Sequence, residues 1–101
     1  MATTPKTIFR GAATTTVGTT LYTTPALTQT VVTNIVVTNT TSTSQTFTMA
    51  LGGTAIHTAT TIVGNSTIYI DLKQTLAATQ TVTGGASATS VNFHITGVEI
   101  V

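Results

Sequence analysis

Threonine occupies 30 of the 101 positions, and where the pattern is clearest it alternates with large apolar residues: Phe47, Met49 and Leu51 interleave with Thr46, Thr48 and Ala50. A period of two sets the first group on one face of a strand and the second on the other. Threonine is β-branched and stiff at χ1, which suits a pleated strand, and its hydroxyl is satisfied by water or by a neighbouring polar surface. Such a chain is confined to sheets with one apolar face and one hydroxyl face. Hydrophobic residues make up 41% of it and are spread along its length, which is enough for a folded single domain with one core.

Turn signals divide the rest into short β-type runs. Residues 1–10 are polar, contain Pro5, and read as an extended N-terminal arm with a weak strand run at Thr7 to Arg10; residues 11–101 form the folded domain. Thr19 to Thr23 is a strand ended by Pro25, which lacks a backbone donor. Thr28 to Asn39 is the longest strand, with Val31, Ile35 and Val37 on one parity and Val32 and Val36 on the other, so both its faces are expected to be covered, as in a central strand. Gln45 to Leu51 and Thr54 to Thr58 flank Gly52-Gly53, whose freedom at positive φ suits a two-residue hairpin. Gly64-Asn65 marks a turn before Ser66 to Leu72, where Ile68, Ile70 and Leu72 alternate with Thr67, Tyr69 and Asp71.

Lys73 to Ala78 is the one stretch with helical character. Thr79 to Thr83 and a turn at Gly84-Gly85 lead to the last strand, Ser90 to Val101, with Val91, Phe93 and Ile95 inward. Val98 and Ile100 then take the opposite parity, so a bulge at Gly97 is expected to re-register the face. About eight strands with turns roughly every 8–12 residues predict an all-β fold, a single antiparallel β-sandwich of jelly-roll or immunoglobulin-like type. Thr-x-Thr motifs, among them those at residues 28–30, 46–48 and 79–81, fall at unequal intervals, which argues against an ice-binding solenoid.

Only Lys6, Arg10, Asp71, Lys73 and Glu99 carry a formal charge, for a net charge of +1. Three dispersed basic residues make no phosphate-binding cluster, so nucleic acid is not an expected partner. No apolar run approaches the ~18 residues of a membrane span, so no membrane role is expected. Without cysteine there is neither a disulfide framework nor a thiolate metal site. Asp71 and Glu99 are the only carboxylates available to an acid–base pair, and nothing in the sequence brings them together. His57, His94 and Asp71 lack the spacing of a metal motif, and both histidines are expected on threonine-bearing faces. No serine or threonine sits in a nucleophile elbow, so no catalytic residue, metal or cofactor is expected. Asn39-Thr40-Thr41 and Asn65-Ser66-Thr67 match the glycosylation pattern, which arises by chance in so threonine-rich a chain.

Few charges means little repulsion between copies, which points to a part that is packed into an assembly. Tyr22 and Tyr69 are candidate interface anchors, joined by Lys6, Phe9 and Arg10 of the arm. Leu21-Tyr22-Thr23-Thr24-Pro25-Ala26, the run Val31 to Asn39, Phe47 to Gly53, Ile68 to Lys73 and His94 to Glu99 together resemble small virion proteins of tailed bacteriophages, both capsid decoration proteins and small tail or baseplate components. The resemblance spans about four-fifths of the chain in strand and turn patterns. It implies a β-sandwich subunit made in the bacterial cytoplasm and deployed in many copies on the capsid surface, with the major capsid protein and copies of itself, as a homotrimer, for partners. A tail, baseplate or fibre module that recognises a cell-surface glycan is the alternative.

Overall fold

The computed structural model describes residues 2–101. Eight strands follow in order: β1 (Thr3–Ala12), β2 (Thr20–Thr23), β3 (Gln29–Asn39), β4 (Gln45–Leu51), β5 (Thr54–Ile62), β6 (Thr67–Leu76), β7 (Thr81–Ala86) and β8 (Val91–Ile100). They make two four-stranded antiparallel sheets, β1-β8-β3-β6 and β2-β7-β4-β5, in a sandwich-like arrangement with no helix among the described residues. The pairing is nested: β4 with β5, β3 with β6, β2 with β7, β1 with β8. The chain is in effect one long hairpin bent into two layers, and the additional pairs β3–β8 and β4–β7 complete the sheets. At its tip Gly52 and Gly53 adopt φ of 59° and 81°, the two-residue hairpin expected from the sequence.

The core lies between the sheets. Phe47, Met49 and Leu51 of β4 face Val32, Ile35 and Val37 of β3 and Val91, Phe93 and Ile95 of β8, all buried. The rings of Phe47 and Phe93 meet edge-on across the gap, centroids 6.3 Å apart at 65°, an arrangement worth about 1 kcal/mol beyond area burial. Asn39 is buried at the end of β3 with its amide donating to the carbonyls of Thr43 and Ile62 and accepting from the Thr41 backbone and hydroxyl. A buried amide so fully paired pins the β3–β4 connection to the end of β5, and it removes Asn39 from any glycosylation in the folded state.

Several expectations are corrected. β3 does lie between two neighbours, but its apolar residues are not split between two covered faces. Its register shifts between Val32 and Asn34 against both β6 and β8: against β8 Thr33 is an extra residue, its hydroxyl donating to the Thr96 carbonyl, and against β6 it stands opposite Leu72 and Lys73. The bulge moves the inward parity from even to odd, burying Val32, Ile35 and Val37 together and leaving Val31 and Val36 half-buried outside. In β8 the reverse holds: no parity change occurs at Gly97, which stays inward, so Val98 and Ile100 face outward and Glu99 turns toward the core side. The stretch read as an arm is mostly strand, since Thr3–Ala12 pairs with β8 along its length, past a shift at Ile8. Lys73 continues β6 to Leu76 rather than opening a helical turn. Gly84 and Gly85 lie within β7, where Gly85 passes beneath the backbone of Thr16 and Val17.

Gly97 is needed for close approach. A Cβ built there would lie 2.4 Å from the Val31 carbonyl oxygen and 3.3 Å from the Ile8 side chain. Gly97→Ala is therefore expected to cost at least ~2 kcal/mol through overpacking against backbone. Gly18→Ala, where a Cβ meets nothing within 4 Å, is expected to change stability little; urea denaturation of both variants checks the contrast.

Candidate functional site

The five residues singled out from the sequence separate into two groups. Tyr22 is half-buried between the sheets, its hydroxyl donating to Glu99 Oε2 at 2.5 Å and lying 2.9 Å from the Thr30 hydroxyl. Lys6 stands on the same side, with Nζ 4.0 Å from Glu99 Oε1. Because β8 keeps its parity past Gly97, the inward position two residues on is an acid, and Tyr22 of the opposite sheet is the donor that satisfies it. Burial, and then the carboxylate it donates to, push the Tyr22 phenol above the ordinary 10.0. Phe9 is opposite Ile95 and packs on the core. These three side chains are engaged within the molecule.

Arg10 and Tyr69 are outside. Arg10 pairs with His94, His94 with Val36, and Val36 with Tyr69, so one row runs across the outer face of the β1-β8-β3-β6 sheet. Tyr69 is 75% exposed. The adjacent row sets Thr96, Asn34 and Asp71 side by side, which gives the exposed ring an amide and an acid as neighbours on the same face.

The outer face of the second sheet is of different chemistry. Lys6 and Arg10 are on β1, Asp71 and Lys73 on β6, Glu99 on β8, so all five charged side chains belong to one sheet and β2-β7-β4-β5 has none. Its outward residues, alternating with buried Phe47, Met49 and Val82, are Thr46, Thr48, Ala50, Thr81 and Thr83, with Thr20 and Thr61 on the flanking strands. This partition is not visible along the chain, because it depends on which strands become neighbours.

Groups capable of catalysis are dispersed. Asp71 points outward and Glu99 inward from the same sheet. His57 belongs to the other sheet, where its ring tilts against Phe47 at 5.1 Å with Nδ1 3.1 Å from the Thr60 hydroxyl; it is half-buried on the core side and not on the threonine face. Among the described residues no three His, Asp or Glu side chains gather as a metal site would require. A shallow groove of about 400 Å³ is lined by Leu27, Thr28, Gln29, Ala77, Ala78, Ile100 and Val101. Leu27 stands at its rim, 92% exposed and at φ 57°, a backbone conformation that costs a branched apolar residue ~1 kcal/mol or more. The groove has no titratable side chain. Comparison with family models, curated proteins and solved structures returns no match for the chain.

The Tyr22–Glu99 contact has a measurable pH signature. Glu99 is 14% exposed at its side chain, so Tyr22→Phe, which removes its donor, is expected to cost about 1–2 kcal/mol at neutral pH. The folded-state pKa of Tyr22 is raised, so its contribution is fully present below the unfolded value of 10.0 and is lost as pH rises through the higher native value. Between those two values the unfolded chain has released the phenolic proton that the folded chain still holds. Wild-type stability is therefore expected to fall more steeply than that of Tyr22→Phe on raising pH past 10.0, read by denaturant unfolding along a pH series.

Proposed function

We propose that this chain is a structural virion protein, a capsid decoration subunit that binds the assembled phage head as a homo-oligomer and stabilises it. The observation that carries this reading is the presence of two broad faces of different chemistry on one small sandwich, one neutral and one charged. A subunit that must meet both its own copies and a foreign shell needs two such surfaces, and no cleft here concentrates reactive groups. Binding the assembled shell in preference to its free subunits raises shell stability by mass action.

We read the strand order, β1-β8-β3-β6 over β2-β7-β4-β5, as a jelly roll, the bent-hairpin arrangement also used by viral capsid domains. Fold alone does not assign function. It supports the proposal because it agrees with the surface chemistry and with the resemblance to phage virion proteins. Localisation on the capsid, with assembly in the host cytoplasm, belongs to the same proposal.

The test is sedimentation of the purified protein with heads of its phage that lack it. Saturable co-sedimentation in many copies per head, with a higher temperature of head disruption, is the expected result. Protein that stays in the supernatant with folded heads sinks the proposal, and a few copies per particle, found on tails, moves it to the tail or baseplate.

One observation favours a second reading. Tyr69, exposed beside Asp71 and Asn34, has the ring, acid and amide that sugar sites use, which fits a glycan-recognising tail or fibre module. On that reading Tyr69→Ala is expected to lower affinity roughly tenfold for any glycan that an array identifies. An array without a hit removes it.

A further inference from the structure

The chain's charge is not merely scarce; it is confined to one sheet, and the other sheet's outer surface is left with hydroxyls and small apolar groups. Within a two-fold interface the same patch occurs on both partners, so any net charge on it is duplicated and repels. The β2-β7-β4-β5 face meets the neutrality condition, with no charged side chain on any of its four strands. The opposite face does not, since Arg10, Asp71 and Lys73 stand on it or at its edges.

Hydrogen bonding suits the face that neutrality selects. A threonine hydroxyl both donates and accepts, whereas an ammonium only donates and a carboxylate only accepts. A threonine surface is therefore complementary to a copy of itself without any second chemistry. Thr46, Thr48, Thr81, Thr83, Thr20 and Thr61 provide such a surface. The uncharged loop crossing Gly85 extends it and adds Val17, an apolar side chain 51% exposed.

The molecule measures 45 × 20 × 18 Å, so a whole long face is about as large as the ~800 Å² per partner of a standard stable interface, and the pairing has to use most of it. We infer that the outer face of the β2-β7-β4-β5 sheet is a self-association surface, on which a second copy of this chain packs face to face about a two-fold axis. The inference takes from the virion reading only that the chain works in many copies, and its unit is a pair rather than the trimer expected from the resemblance. It leaves the charged sheet for a foreign partner, where complementary charge can select and orient.

The experiment introduces one charge into the neutral face. A lysine there finds no carboxylate on an identical opposing face, so association forces an unpaired ammonium out of water. Sedimentation velocity over a concentration series is expected to show a wild-type dimer, and Thr83→Lys and Thr61→Lys are expected to weaken it by ~100-fold or more with circular dichroism unchanged. Thr67→Lys, outward on β6 of the other sheet, is expected to leave the dimer intact. Should Thr83→Lys fail to fold, Thr61→Lys on the exposed edge strand decides. A wild-type monomer, an oligomer indifferent to both substitutions, or one broken equally by Thr67→Lys overturns the inference. No capsid is needed in this assay: a dimer that ignores heads defeats the virion reading alone, and a monomer that binds them defeats this inference alone.

Discussion

The parity of β8 is the constraint on which the rest of the structure depends. β8 is paired on both sides, to β1 and to β3, and it passes through the middle of its sheet without losing alternation. Its neighbours do lose it, and at the same level: β1 has its extra residue at Ile8, opposite the Thr96–Ile95 step, and β3 has Thr33 opposite Gly97–Thr96. β6 adjusts in turn, placing Leu72 and Lys73 against the single Thr33. A row of irregularities thus crosses the whole sheet, and bulges increase local twist and bend. Gly97 sits in that row because the Val31 carbonyl and the Ile8 side chain occupy the space a Cβ would fill. The consequence reaches the second sheet: since β8 does not re-register, Glu99 arrives on the core side and has to find a donor, which Tyr22 supplies from β2.

What the sequence made legible follows from this. Where alternation is undisturbed, as in Gln45–Leu51, in Val91–Ile95 and in Thr67–Leu72, the buried set is read directly, and Gly52-Gly53 names its own hairpin. Where a bulge intervenes, the same rule misleads. In β3 the two parities of valine looked like two covered faces, although one inserted threonine brings Val32 onto the side of Ile35 and Val37. At Gly97 a glycine suggested a bulge that lies on the neighbouring strands instead. A bulge is a property of a pair, so one strand's sequence does not reveal which partner carries the extra residue.

The candidate surfaces were legible in kind but not in place. The alternation of β6 sets Tyr69 opposite its core parity, and that is where it stands. Tyr22 and Phe9 are aromatic for internal reasons, one as a donor to Glu99 and the other as packing against the core, and their residue types alone do not separate those uses from an external one. The division of charge between sheets was invisible for a different reason. Lys6, Arg10, Asp71, Lys73 and Glu99 are scattered over 94 positions of sequence, from 6 to 99, and only the nesting of β1 with β8 and of β3 with β6 collects them.

The positions of those charges also bear on how the sheets avoid uncontrolled pairing. Each sheet has two edges, and an unpaired edge is a template for another chain. In the first sheet the edges are β1 and β6, which carry Lys6, Arg10, Asp71 and Lys73, with Pro5 on β1 as well. In the second sheet β2 is only four residues long, and β5 is interrupted by register shifts and by Ala59 at φ 45°. Four of the five charged side chains are therefore on edge strands, where they discourage lateral growth, and the β2-β7-β4-β5 face has none. A chain with five charged residues that places four of them on edge strands discourages strand-to-strand addition while leaving the β2-β7-β4-β5 face electrostatically unopposed to a copy of itself. Threonine completes that arrangement, since it fills the faces with groups that water or a matching surface satisfies equally well.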